Sequence, residues 1–229
     1  MTTLILHYAP DNASLCIRLA LEAVGAPYQT HLVDRRAQAH RSDAYLSLNP
    51  NGKIPVLETP DGVMFETAAI LLWMAERYPS LLPDDPIPRA AALKWFIWMA
   101  NTLHPTLQRL FYPEQYIDAE HSNALRTFTQ NALRRHLGTL EEALDGASWI
   151  GQSAPTLLDC YLCPMLRWMQ IYPDNLSDKP MLADYPRLLR VARVNESHPG
   201  TNVLQKAEGL GPHPFTKPTL PDPPEGNAL

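Results

Sequence analysis

The stretch that most constrains this chain is Asn49-Pro50-Asn51-Gly52-Lys53-Ile54-Pro55-Val56-Leu57, with Phe65-Glu66-Thr67-Ala68-Ala69-Ile70 close behind it. Pro50 and Gly52 stop any helix that precedes them. Pro55 stands at the start of an apolar run, the one place in a strand where a missing N–H does little harm. Thr59-Pro60-Asp61-Gly62 carries proline second and glycine fourth, which signals a β-turn. Val63-Met64-Phe65 then reads as a return strand. Glu66-Thr67 opens a helix, where a hydroxyl can cap free N–H groups. A helix N-terminus offers partial positive charge and unpaired donors to a carboxylate. Glu66 beside it offers an anion to an ammonium group, so the pair suits an α-amino-acid head group. Ile54, ahead of Pro55, is expected to be extended. A cis Ile54–Pro55 bond would free the Ile54 backbone N–H and C=O to face a ligand.

Asn-Pro-x-Gly-x-Ile-Pro-x-Leu, then Asp-Gly, then Glu-Thr-x-Ala-Ile resembles the glutathione-site signature of the soluble glutathione transferases. The resemblance covers roughly residues 4–200 and carries bacterial, beta-like and theta-like features. It implies that Pro55 is the cis-proline and that Ile54 pairs with the cysteinyl backbone of glutathione. It also implies that Glu66 and Thr67 hold the γ-glutamyl group.

Composition narrows the classes. The chain has 229 residues, 45% hydrophobic and 19% charged, enough for one large domain or two small ones with real cores. A net charge of −5 gives no general pull toward nucleic acid or an anionic membrane. Met1-Thr2-Thr3-Leu4-Ile5-Leu6 has no basic start and reads as a first strand, not a signal peptide. No apolar run reaches the ~18 residues a membrane span needs. Three cysteines are too few for a disulfide framework, and a reducing cytoplasm is the expected compartment. Proline, at 23 residues, is roughly twice its usual ~5% share. Six of these fall between Pro212 and Pro224, so the tail is not expected to be a helix.

Taken in order, Leu4 to Tyr8 is a short strand and Ala9 to Ala13 a loop. Ser14 to Val24 is a helix on the Ile17, Ala20, Leu21, Val24 pattern, ended by Gly25. Tyr28 to Val33 reads as a strand, Arg41 to Leu48 as a short helix, and Thr67 to Tyr78 as a helix after the hairpin. That order makes a compact α/β unit with a mixed four-stranded sheet, which the resemblance identifies as a thioredoxin-like domain, residues 1–79. Residues 80–88 form a stiff, proline-rich linker. Residues 89–208 form an all-helical domain. Ala92, Trp95, Phe96 and Met99 make one apolar stripe, and Leu133, Leu137, Leu140 and Leu144 make another. Leu158, Tyr161, Leu162 and Met165 make a third, and Leu188, Val191 and Ala192 start a fourth; such stripes are core. Thr156-Leu157-Leu158-Asp159 approximates a capping box and is read as a folding device, and Pro164 should kink the helix that follows. Residues 209–229 form a polar, proline-rich tail, expected to be extended or disordered.

The chemistry implied by the resemblance is thiol activation. A free thiol of pKa ~8.5 is only ~3% thiolate at pH 7. Lowering the pKa to ~6.5 makes it roughly three-quarters thiolate, for about 2.7 kcal/mol. A hydrogen-bond donor and a helix N-terminus could supply that. In glutathione transferases the donor lies between the first strand and the first helix, here Tyr8 to Ser14. Serine-using relatives place the catalyst nearest Asp11 or Asn12, the beta class places its cysteine at Ala13, and tyrosine-using classes place theirs at His7. None of those standard catalysts stands where expected. Asp11 would repel a thiolate. Asn12 can donate an amide N–H, Ser14 a hydroxyl and Tyr8 a phenol, in that order of preference. The bland alternative is that Asn12 and Ser14 cap the first helix.

His40, in a stretch similar to the theta class, and Lys53 are the cationic or donor groups suited to the glycine carboxylate. His104 resembles a beta-class histidine and is placed in the acceptor pocket. Cys16 lies inside its helix, and Cys160-x-x-Cys163 sits on an apolar one, so all three cysteines are read as structural. No metal is expected. The chain is thus read as a cytoplasmic, homodimeric detoxification enzyme: a glutathione transferase with glutathione as co-substrate and a small electrophile as acceptor. Glutathione-dependent disulfide or peroxide reduction, and a non-catalytic binding or scaffold protein of the same fold, are the rival readings.

Overall fold

The structure, a computed structural model, describes residues 3–227. Its first third builds a four-stranded sheet in the order β2-β1-β3-β4. β1 (Leu4–Tyr8) pairs parallel with β2 (Tyr28–Leu32) and antiparallel with β3 (Val56–Thr59), which pairs antiparallel with β4 (Gly62–Phe65). The Thr59-Pro60-Asp61-Gly62 turn closes the hairpin. The Thr59 hydroxyl donates to the Gly62 carbonyl at 2.7 Å and accepts from the Asp61 N–H at 3.1 Å.

Alternation along β1 sorts its side chains. Leu4, Leu6 and Tyr8 face the main core, while His7 turns to the other face, where its Nε2 meets the Glu58 carboxylate at 2.7 Å. Helix α1 (Ser14–Val24) crosses the main core face. Every residue from Ser14 to Leu21 is buried, because the helix is enclosed by the sheet, by α3 (Thr67–Arg77) and by helices of the second unit. A helix covered all round is normally apolar all round. The exception, Arg18, stacks 4.2 Å over the Tyr8 ring and pairs at 3.2 Å with Glu208. The short α2 (Asp43–Leu48) is capped by Ser42, which accepts from the Tyr45 N–H.

The rest is helical: α4 (Pro86–Trp98), α5 (His104–Phe111), α6 (Ser122–Ala143), α7 (Leu157–Ile171), α8 (Pro186–Glu196) and α9 (Pro199–Glu208). The four apolar stripes lie in one continuous core, with Trp95 packed at its edge. The capping box forms as expected: Asp159 accepts from the Thr156 N–H at 2.9 Å, and also from the Gly151 N–H at 2.9 Å and the Asn195 amide at 2.8 Å. Helix α7 runs through Pro164.

Two expectations need correction. The proline-rich 80–88 segment is not all linker, since α4 begins at Pro86 with Asp85 capping the Ile87 N–H. Proline in a first helical turn costs nothing, because those N–H groups have no helical acceptor. The tail is neither helix nor strand, but it is not solvated chain either. It reverses at Gly209 (φ +63), where any Cβ would collide with the Asp222 backbone. It then buries Leu210 and Phe215, and Glu225 accepts from the Tyr8 hydroxyl. Among the described residues no helix is long and apolar enough to cross a membrane.

Candidate functional site

A cavity of about 480 Å3 lies between the sheet unit and the helical unit. The N-terminal wall is made by the β1–α1 turn (Asp11, Asn12, Ala13), by Arg35, His40 and Arg41, and by Gly52, Lys53 and Ile54. The facing wall comes from α5 and the segment after it (His104, Gln108, Phe111, Tyr112, Gln115) and from the end of α7 and beyond (Trp168, Tyr172, Pro173, Asp174).

Local sequence explains the N-terminal wall. Asn49 organises the turn: its Oδ1 accepts from the Asn51 N–H at 3.0 Å, its carbonyl from the Gly52 N–H at 2.9 Å, and its amide donates to the Lys53 carbonyl at 2.7 Å. Tyr45 also donates to that carbonyl, at 2.9 Å. Gly52 has φ +59, and a Cβ there would stand 2.9 Å from the His40 carbonyl. Only glycine lets this turn close against His40. The Ile54–Pro55 peptide is cis. Lys53 is exposed and Ile54 partly so, whereas Pro55 is buried behind them.

The β1–α1 turn is held by its own polar groups. Asn12 donates from Nδ2 to the Pro10 carbonyl at 2.8 Å, and the residue lines the cavity. Ser14 is fully buried, and its hydroxyl exchanges bonds with Ala9, to the carbonyl at 3.1 Å and from the N–H at 3.4 Å. The N-cap position of α1 is Ala13. Ser14 and Tyr8 lie outside the lining of this cavity. Tyr8 points into the core because it shares a strand face with Leu4 and Leu6. Burial, with Glu225 as hydrogen-bond acceptor, pushes its phenol up to about 12.

Glu66 and Thr67 stand at the start of α3, outside the lining of this cavity. The helix begins with Glu66 rather than Thr67 in the cap position, and no side chain caps it. Glu66 is exposed and adopts φ 69, ψ 112, a conformation that costs a non-glycine residue about 1–3 kcal/mol and concentrates at ligand sites. Thr67 is buried.

Electrostatics favour anions at this cavity. Arg35, Arg41 and Lys53 line it, and of its two carboxylates Asp11 is consumed by an ion pair with Arg167. Burial, then Arg41 and Arg35, pushes His40 below the usual histidine range, so it is a neutral donor or acceptor at pH 7. Burial and the nearby Lys53 push His104 down to about 4. Its Nδ1 meets the Tyr161 hydroxyl at 2.9 Å, and its ring lies 5.9 Å from Trp168. His104 follows a π-helical stretch, Met99–Leu103. Pro105 accounts for that widening, since its ring would clash with the carbonyl four residues earlier. Burial raises the thiols of Cys16, Cys160 and Cys163 well above the ordinary range, so none is nucleophilic at neutral pH.

The family descriptions "Glutathione S-transferase, N-terminal domain" and "Glutathione S-transferase, C-terminal domain" match residues 13–77 and 123–193. A Xanthomonas campestris protein named glutathione S-transferase GST-4.5 is 30% identical over 213 residues, 90% of this chain and 98% of that one. The chain belongs to the glutathione S-transferase superfamily. It is also 27% identical over 219 residues to a maleylacetoacetate isomerase of Pseudomonas aeruginosa, covering 93% of this chain and 97% of the relative. A glutathione transferase from Burkholderia graminis, solved with two glutathione molecules per subunit, superposes with a TM-score of 0.77 at 26% identity, over 89% of this chain and 88% of that one. The two-unit architecture expected from the sequence is therefore that of this superfamily.

Within that frame the structure brings Asn12, His40, Lys53, Ile54 and His104 to one cavity. Sequence reasoning missed Arg35, Arg41, Gln108, Phe111, Tyr112, Trp168 and Tyr172 in its lining. Trp168 carries no separate sequence signal, because it lies on a helix whose residues are nearly all buried.

Proposed function

We propose that this glutathione S-transferase holds glutathione on the N-terminal wall of the cavity and activates its thiol through the Asn12 side-chain amide. The observation that carries the reading is the convergence of Asn12, Ile54, Lys53 and His40 on one cleft between the two units. Ile54 supplies backbone groups to the cysteinyl residue. Lys53 supplies a point charge, and His40 a neutral hydrogen-bonding ring, to the glycine carboxylate. The uncapped, positively polarised start of α3 takes the γ-glutamyl carboxylate, and Glu66 takes its ammonium. An amide donor lowers the thiol pKa by favouring the thiolate, without itself bonding covalently to the substrate. Electrophile binding falls to the opposite wall, where Phe111, Tyr112 and Trp168 offer flat apolar surface around His104. The protein works as a cytoplasmic homodimer in detoxification.

A second reading has specific support. The P. aeruginosa relative is named for isomerising a maleyl compound, and Arg35, Arg41 and Lys53 give the cavity the positive charge a dicarboxylate needs. In that reading the thiolate adds to the substrate double bond and leaves again after rotation.

Calorimetry with glutathione at pH 7 tests the common step. Wild type should bind, and Glu66→Ala with Thr67→Ala should lose binding. No heat from folded wild type at millimolar glutathione would refute both readings.

A further inference from the structure

The acid next to the proposed thiol donor is a paradox. Asp11 precedes Asn12, and a carboxylate there would oppose formation of a thiolate. The structure shows why it does not. Asp11 has φ +53, and its side chain is completely buried. Its Oδ1 accepts from Arg167 Nε at 2.8 Å and from Trp168 Nε1 at 2.8 Å. Its Oδ2 accepts from Arg167 Nη2 at 3.0 Å and from the Tyr172 hydroxyl at 2.7 Å. Its N–H donates to Glu208 of α9 at 2.8 Å. One residue of the N-terminal wall is thus bonded to α7, to the residue that follows it and to α9.

Two of its partners, Trp168 and Tyr172, line the opposite wall of the cavity. Arg167 is saturated as well. Its remaining bonds go to the carbonyls of Leu210 and Pro214, both at 3.3 Å, and of Thr219, at 2.9 Å. The guanidinium therefore ties the β1–α1 turn, α7 and the tail into one joint, in which its donors are met by the Asp11 carboxylate and by tail carbonyls.

We propose that Asp11 and Arg167 are positioning residues for the thiol-activating step: their buried clasp holds the β1–α1 turn in its left-handed conformation so that the Asn12 amide faces the bound thiol across a cleft of set width. The ion pair also cancels the Asp11 charge, so a carboxylate can serve as an anchor next to a thiolate. This inference rests on the reading of Asn12 as the donor.

Positioning and simple electrostatics predict opposite outcomes. Removing a nearby negative charge in Asp11→Asn would, by electrostatics alone, lower the pKa of the bound thiol. Asparagine tolerates the left-handed region, so the turn is not broken by backbone strain, but the bidentate clasp to Arg167 is lost. Loss of positioning raises the bound-thiol pKa instead.

The test follows the ultraviolet absorbance of the bound thiolate against pH, with calorimetric Kd for glutathione and kcat on a reactive aryl halide. For Asp11→Asn we expect the thiol pKa to rise by about 1.5 units, kcat at pH 7 to fall about eightfold, and Kd to change less than twofold. Tyr172→Phe keeps the ring in the cavity wall and removes one bond to Asp11. It provides the same reading, two- to fivefold in kcat, should Asp11→Asn fail to fold. A thiol pKa at or below the wild-type value in either folded variant overturns the clasp. A wild-type enzyme whose bound thiol titrates like free glutathione would instead overturn the reading of Asn12, whatever the variants do.

Discussion

Asp159→Ala should be among the most damaging single substitutions in the helical unit, and its cost can be worked from the structure. The Asp159 carboxylate is fully buried and accepts four bonds. They come from the Gly151 N–H at 2.9 Å, the Thr156 N–H at 2.9 Å, the Thr156 hydroxyl at 2.8 Å and the Asn195 amide at 2.8 Å. These donors belong to the loop before α7, to its cap and to α8, so the side chain joins three segments. Alanine strands three buried N–H donors, each costing about 1–3 kcal/mol when left unpaired. Part of that is returned, because burial raises the Asp159 carboxyl above its usual range and its removal relieves that penalty. Asn195 also keeps a second bond, to the Val191 carbonyl at 3.0 Å. The expected net loss is about 3–5 kcal/mol. In urea unfolding, at a slope of about 2 kcal/mol per M, the midpoint should fall by about 1.5–2.5 M with the slope unchanged. Thr156→Ala, which removes only the cap hydroxyl, should cost about 1 kcal/mol. A loss under about 1 kcal/mol for Asp159→Ala, or equal losses for the two variants, would refute the argument that one carboxylate integrates the three segments.

Two further outcomes are expected. Loss of hydration pushes the buried Glu208 carboxyl from its ordinary 4.5 up to about 7, and Arg18 at 3.2 Å does not cancel that shift. The folded state then holds a proton that the unfolded chain has released, so this group's contribution to stability falls as pH rises from about 4.5 to 7, by about 3 kcal/mol. Glu208→Gln should flatten that slope in urea midpoints taken at pH 5 and pH 8, and an unchanged slope would sink the assignment. Asn12→Ala should leave glutathione affinity within a few-fold of wild type. It should cut turnover at pH 7 by up to about 25-fold, the ratio of thiolate fractions at pKa ~6.5 and ~8.5; full activity in a steady-state assay would remove Asn12 from the mechanism.

Some of this was legible in the sequence because the signals are local. Gly52, Pro55 and the Pro60-Asp61-Gly62 turn act on their own backbone dihedrals, so the hairpin and the wall it builds follow from residue type. The apolar stripes of α6 and α7 follow from helical period, and Thr156 with Asp159 from cap chemistry three residues apart. The burial of Ser14 and Tyr8 was not legible, for the opposite reason. A hydroxyl between a strand and a helix looks available, and only the packing of α1 against the helical unit encloses it. The tail misled because proline-rich composition speaks to secondary structure and not to burial. Leu210 and Phe215 join the main hydrophobic core.

The sequence by itself determined the order of the main elements, the helix stop at Pro50 and Gly52, and the family, since each depends on dihedral preference or on short-range pattern. Tertiary structure alone decided what Asp11 does. Its partners Arg167, Trp168 and Tyr172 lie 156, 157 and 161 residues away. No local propensity can tell a repelling carboxylate from one that a guanidinium, an indole and a phenol have already neutralised and held.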